Sequence, residues 1–135
     1  MSQQKFEVVR NVVLALNERD VEGYLACCTD DVELVPATAA LAGTFMGAGG
    51  IERFFADLQD TAPDIQVEIE RFEMVGGNVL AFENASASGR ASGVGGDLEF
   101  TTLYEFAGGQ IRRISVFLNR QEATEAARAR TDAPI

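Results

Sequence analysis

Asp64–Ser88, DIQVEIERFEMVGGNVLAFENASAS, decides the fold. Ile65, Val67 and Ile69 alternate with Gln66, Glu68 and Glu70, the two-residue period of a half-buried strand. The phase then slips, because Phe72 and Met74 carry the apolar face, and the spacing predicts a bulge near Glu70–Arg71 in a strand over 65–75. Gly76-Gly77-Asn78 reads as the turn, and Val79–Ser88 as the returning antiparallel strand.

Toward the C-terminus the same grammar repeats. A Gly-rich hairpin at Gly93–Gly96 leads to a strand over 97–107, and Ala107-Gly108-Gly109 turns into a strand over 110–119. Arg120–Arg130 is Ala-rich and reads as a terminal helix, with a frayed tail from about residue 127. Toward the N-terminus, Phe6, Val9, Val13 and Leu16 fall at helical spacing and predict a helix over 3–18. Asp20 can cap a second helix, 20–28, with Val21, Tyr24, Leu25 and Cys28 on its apolar side. Thr29-Asp30-Asp31 reads as a turn into a short strand, Val32–Pro36, in which Val32 and Leu34 share one face and Glu33 and Val35 the other. After a small-residue loop, Gly47-Ala48-Gly49-Gly50 opens a third helix, 50–61, with Ile51, Phe54, Phe55 and Leu58 as its stripe. Helices followed by consecutive hairpins make an α+β domain: a curved antiparallel sheet wrapped around N-terminal helices, with a pocket inside.

The chain has 135 residues, which fits a single domain over 1–135. A net charge of −10 repels phosphate backbones and anionic lipid surfaces, so neither nucleic acid nor membrane is expected as a partner. The apolar run VVLAL is too short for a signal-peptide core, and a cytoplasmic location is expected. Cys27 and Cys28 are neighbours on the predicted helix, about 100° apart, which does not suit a disulfide. There is no histidine to activate either thiol or to ligate a metal, so no metal and no cofactor are expected. Gly47–Gly50 lacks the Lys-Ser or Lys-Thr of a phosphate-cradling loop and reads as a flexible turn.

Three segments carry a family resemblance: ALNERDVEGYLACCTDDVELVP at 15–36, GTFMGAGGIERFF at 43–55 and LYEFAGGQIRRISVF at 103–117. With the order of elements they resemble the nuclear-transport-factor-2-like superfamily, in its SnoaL-like and ketosteroid-isomerase-like branch, over about Phe6–Ala126. The resemblance implies a cystatin-like α+β roll, a cone whose pocket opens at the wide end, and a homodimer through the convex sheet face. It does not carry over a known catalytic set. The general-base position of ketosteroid isomerases falls on Val35 or Pro36, their oxyanion Asp on Thr102, and their helix-1 Tyr near Val12. The Arg and Asp of limonene-epoxide-hydrolase-like members fall on Asn84 and Ser86, and their last-strand Asp on Val116.

The implied registers put Leu80, Phe82, Asn84, Ser86 and Ser88 on the concave face, with Leu98, Phe100, Thr102 and Tyr104, and with Ile114, Val116 and Leu118. Leu34 joins them from the first strand, and Tyr24 is either a lid or a core residue. Such a pocket suits a small apolar ligand held by a few hydrogen bonds, and Asn84 is the polar group expected deepest in it. Glu33, Glu83 and Glu99 are placed on the convex side. A one-residue slip would turn any of them inward and supply a base, which makes Glu33 and Glu83 the catalytic candidates. Apolar Leu103 and Phe117 on the convex face motivate the homodimer. The expected function is an isomerase or cyclase, without a cofactor, on an apolar carbonyl or polycyclic substrate. The alternative is a non-catalytic ligand-binding or dimerisation protein of the same fold.

Overall fold

A two-residue turn sets the hairpin at one edge of the sheet. The computed structural model describes residues 2–37, 43–87 and 97–131. Its strands are β1 (Cys28–Val35), β2 (Phe45–Met46), β3 (Ile65–Val75), β4 (Asn78–Ala87), β5 (Asp97–Ala107) and β6 (Gln110–Phe117). Its helices are α1 (Ser2–Glu18), α2 (Val21–Ala26), α3 (Gly47–Thr61) and α4 (Arg120–Thr131). The six strands form one sheet in the order β2-β1-β6-β5-β4-β3, antiparallel throughout except for the β1–β6 pair. The expected α+β architecture with a curved sheet and N-terminal helices is present. Ser88 and the Gly93–Gly96 turn lie outside the described residues. Among the described residues no helix is long and apolar enough to cross a membrane.

The bulge falls where the spacing places it, between Ile69 and Arg71, and it keeps both Ile65, Val67, Ile69 and Phe72, Met74 on one face. The β3–β4 turn differs from its reading as Gly76-Gly77-Asn78. Val75 pairs with Asn78, so only Gly76 and Gly77 form the turn, and Gly76 supplies the positive φ of 63° that it needs. The missing residue matters, because opposed residues in an antiparallel pair share a face. Met74 now faces Val79, where a three-residue turn would set it opposite Leu80. Every side chain of β4 is thereby flipped relative to the sequence expectation. Val79, Ala81, Glu83 and Ala85 are concave, whereas Leu80, Phe82, Asn84 and Ser86 are convex.

Two smaller differences have equally local causes. Thr29-Asp30-Asp31 is not a free turn but an irregular stretch inside β1. Cys28 pairs with Ile111 and Glu33 with Arg113, so five steps of β1 lie against two of β6. Helix α3 begins at Gly47, not 50. Gly50 is buried there, and a Cβ on it would stand 2.8 Å from the Phe45 carbonyl carbon. The close crossing of α3 over β2, not flexibility, requires the glycine.

Helices α1, α2 and α3 fill the concave side. Val9, Val12, Val13, Tyr24, Ile51 and Phe55 pack there against Val79, Ala81, Tyr104 and Ile114. Asn17 ties α1 to the sheet edge, donating to the Val67 carbonyl at 2.9 Å and accepting from its N–H at 2.8 Å. Helix α4 crosses the other face. Asn119 caps it by accepting from Glu122 N–H at 3.0 Å, and Ala123 and Ala127 pack on Leu80, Phe82 and Leu103. Leu103 is fully buried under its own chain, so it offers no surface to a second copy and gives no support to the expected dimer. The apolar convex residues have an intramolecular partner that the sequence pattern did not reveal.

Candidate functional site

A cavity of about 400 Å³ lies between the concave sheet and the helices. Each element contributes side chains that its own periodicity aims inward: Val13 and Leu16 from α1, Phe54 and Leu58 from α3, Ile65 and Val67 from β3. Strand β5 presents Leu98, Phe100, Thr102 and Tyr104, and β6 presents Ile114 and Val116. Leu98 and Leu118 line the cavity while remaining more than half exposed, which marks its mouth. Ala85 on β4 is the small residue that leaves room beside Glu83.

Glu83 gives this apolar chamber its chemistry. It is the only carboxylate among the described lining residues and is 3% exposed. Thr102 and Tyr104 stand two apart on β5 and therefore on one face. The Thr102 hydroxyl donates to Glu83 Oε1 at 2.8 Å, and the Tyr104 hydroxyl donates to Oε2, also at 2.8 Å. Burial pushes the Glu83 carboxyl up from 4.5 to about 7, against the pull of those two hydrogen bonds. The chamber thus holds a carboxyl group that exchanges its proton near neutral pH, with each oxygen fixed by a donor. Tyr104 and Tyr24 are both pushed well above the ordinary phenol range, chiefly by burial. Tyr24 stacks edge-on against Phe55 with ring centres 5.3 Å apart, so it is a packed wall of the chamber.

The structure brings together Tyr24, Leu34, Phe100, Thr102, Tyr104, Val116 and Leu118 in this cavity, with Glu83 among them. It leaves out Phe82, Asn84, Ser86 and Glu33. The shorter β3–β4 turn sends the first three to the convex face. There Phe82 lies under Arg71, 3.9 Å from its guanidinium, and the Asn84 Oδ1 is buried without a hydrogen-bond partner among the described residues. Asn84 is therefore not the deep polar group of the site; Glu83, one residue before it, is. Glu33 stays outside because Leu34 takes the inward position, and its carboxylate accepts from Arg113 Nε at 3.1 Å. That pair borders a larger, open groove of about 840 Å³ between α4 and strands β1 and β6, away from Glu83.

Neither thiol is among the described lining residues of the cavity. Burial, then the neighbouring Cys27, pushes Cys28 up to about 12, and its S–H donates to the Tyr24 carbonyl. No group of three or more potential metal ligands occurs among the described residues.

Residues 9–114 match the sequence profile of the SnoaL-like domain. No curated protein matches the chain by sequence. Among solved structures, TerC, co-crystallised with polyporic acid, is 22% identical, with a TM-score of 0.75 over 92% of this chain and 98% of that one. A candidate ketosteroid isomerase from Kribbella flavida is 20% identical, with a TM-score of 0.67 over 85% of this chain and 77% of its own. A candidate polyketide cyclase from Sinorhizobium meliloti is 16% identical, with a TM-score of 0.67 over 82% of this chain and 93% of its own. At these identities the likeness shows a shared fold, and the chemistry has to be argued from the cavity.

Proposed function

Because the chain belongs to the SnoaL-like domain family, we propose that it catalyses acid–base chemistry, of the isomerase or cyclase kind, on a small apolar carbonyl compound. The observation that carries this proposal is Glu83: a buried carboxyl, pushed up to about 7, in an otherwise apolar chamber of about 400 Å³. A general base works best when its pKa lies near the operating pH, because both protonation states are then populated. In the ionised state Glu83 removes a proton from the carbon beside a carbonyl, and the C–H electron pair moves into the enolate. The neutral acid then returns the proton to another carbon, which isomerises the substrate, or the enolate carbon attacks a second carbonyl, whose π pair moves to oxygen and takes the proton back from Glu83 as the ring closes. Thr102 and Tyr104 hold the carboxylate in place, and the apolar walls exclude water that would compete for the proton.

The test is proton exchange. The protein is incubated with 2-tetralone in D₂O, and deuterium uptake above the buffer rate is followed by mass spectrometry. Wild-type protein should accelerate uptake, and Glu83→Gln should lose that acceleration by about 10²–10⁴-fold. Identical uptake with both would reject catalysis by Glu83 and leave a ligand-binding protein. We also keep a homodimer as a proposal, confined to the convex area that α4 leaves open, where Val35 and Phe117 flank the Glu33–Arg113 pair. Sedimentation of the wild type against Phe117→Glu tests it, and a monomer at high micromolar concentration rejects it.

A further inference from the structure

Most cations among the described residues are engaged away from the cavity. Arg71 and Arg120 lie over the outward ring of Phe82, and Arg10 lies over Phe72. Arg112, Arg113 and Arg130 gather round the buried Glu105 carboxylate; Arg130 Nε is 2.9 Å from its Oε2, close enough for an ion pair but out of line for a hydrogen bond. Arg19 donates to the carbonyls of Leu16, Ala62, Pro63 and Ile65. Lys5 donates to the Gly77 carbonyl. No lysine or arginine is among the described lining residues of the cavity.

The groups that face Glu83 can be followed element by element. β5 offers Thr102 and Tyr104, and α2 offers Tyr24. α1, α3, β1, β3 and β6 offer only aliphatic, proline and phenyl side chains. A separate recess of about 60 Å³ is lined by Glu83 together with Glu70, Glu99 and Arg120. Among the described residues of the cavity, then, one carboxylate is held by two hydroxyls and no counter-charge. A carboxylate has about four lone-pair sites, and two of these already receive hydrogen bonds, so the remainder suit a ligand that donates. A second anion placed there would face Glu83 across a few ångströms of apolar surroundings.

We propose that the cavity is a charge filter: it accepts neutral ligands that offer an enol or phenol hydroxyl to Glu83, and it excludes carboxylates of the same size and shape unless a proton enters with them. This rests on the functional proposal above that the cavity is the ligand site, and it adds the class of ligand. At an effective dielectric constant of about 20, like charges about 5 Å apart should weaken binding on the order of 100-fold.

The probes are 2-naphthol and 2-naphthoate, titrated by calorimetry from pH 6.5 to 8.5 into the wild type, Glu83→Gln and Ala85→Phe. Ala85→Phe fills the cavity and identifies binding elsewhere. Wild type at pH 8.5 should prefer the naphthol by about 30-fold, because naphthoate then binds with a proton taken up by Glu83 about 1.5 units above its midpoint. Its affinity for naphthoate should rise about tenfold per unit as pH falls from 8.5 toward 7, with about one proton taken up on binding. Glu83→Gln should bind naphthoate without that pH dependence. Equal wild-type affinity for both probes at pH 8.5, abolished by Ala85→Phe, would overturn the filter and leave the site. Rejection of naphthoate by Glu83→Gln as strongly as by the wild type would overturn it too, because shape and not charge would then select. Binding of neither probe to any form would overturn the filter together with the ligand site.

Discussion

Replacing Glu83 with Gln should remove a pH dependence of folding whose sign and size follow from the cavity. The folded-state pKa is raised, from 4.5 to about 7, because burial penalises the anion. Below 4.5 both folded and unfolded chains carry the proton. Between 4.5 and 7 the unfolded chain releases it while the folded one keeps it, so stability falls as pH rises. Above 7 both are ionised and the loss is complete. A shift of about 2.5 units at 1.36 kcal/mol per unit makes the full loss about 3 kcal/mol. Every other ionisable group is common to both proteins, so the useful quantity is the difference between wild type and variant. Urea denaturation of both proteins from pH 4.5 to 8.5 gives it. The wild type should lose about 3 kcal/mol relative to Glu83→Gln across that range, nearly all of it below pH 7.5. A flat difference curve would mean that Glu83 ionises like a solvated glutamate, and the chamber would then lack the base assigned to it.

Three further outcomes follow from packing. Leu103→Glu should cost more than about 3 kcal/mol, read by chemical denaturation, because Leu103 is fully buried beneath Ala123 and Ala127 and an unpaired charge there has no partner. Asn84→Leu should be neutral or stabilising by about 1 kcal/mol and leave ligand affinity unchanged, because it removes a buried Oδ1 without a partner on the convex face. Ala85→Phe should keep its melting temperature within a few degrees, by differential scanning calorimetry, while blocking ligand binding, because the new ring enters existing free volume.

Much of the fold is legible in the chain because its elements are strongly periodic. The alternation of Ile65, Val67 and Ile69, the slip to Phe72 and Met74, and the Gly-rich turns up to Gly108-Gly109 together specify four hairpin-linked strands and a bulge. Phe100, Thr102, Tyr104 and Val116 face the cavity, as simple alternation along β5 and β6 places them. What was not legible turns on one residue. Asn78 reads equally well as the end of a turn or the start of a strand, and that choice exchanges Asn84 for Glu83 in the chamber. The signal was present in principle: with Met74 facing inward, a two-residue Gly76-Gly77 turn requires Val79, Ala81 and Glu83 inward as well. The position of α4 was less accessible. A polar helix with two buried alanines has only a faint apolar stripe, so nothing in it announces that it covers Leu80, Phe82 and Leu103.

The most direct measurement is the carboxyl carbon-13 titration of Glu83 in wild-type protein, assigned by the signal that Glu83→Gln removes. A midpoint near 7, moving up by about 1–2 units in Tyr104→Phe as one hydrogen bond to the anion is lost, is the predicted result. A midpoint near 4.5, unmoved by Tyr104→Phe, would contradict the assignment of Glu83 as the buried proton-exchanging group of the chamber.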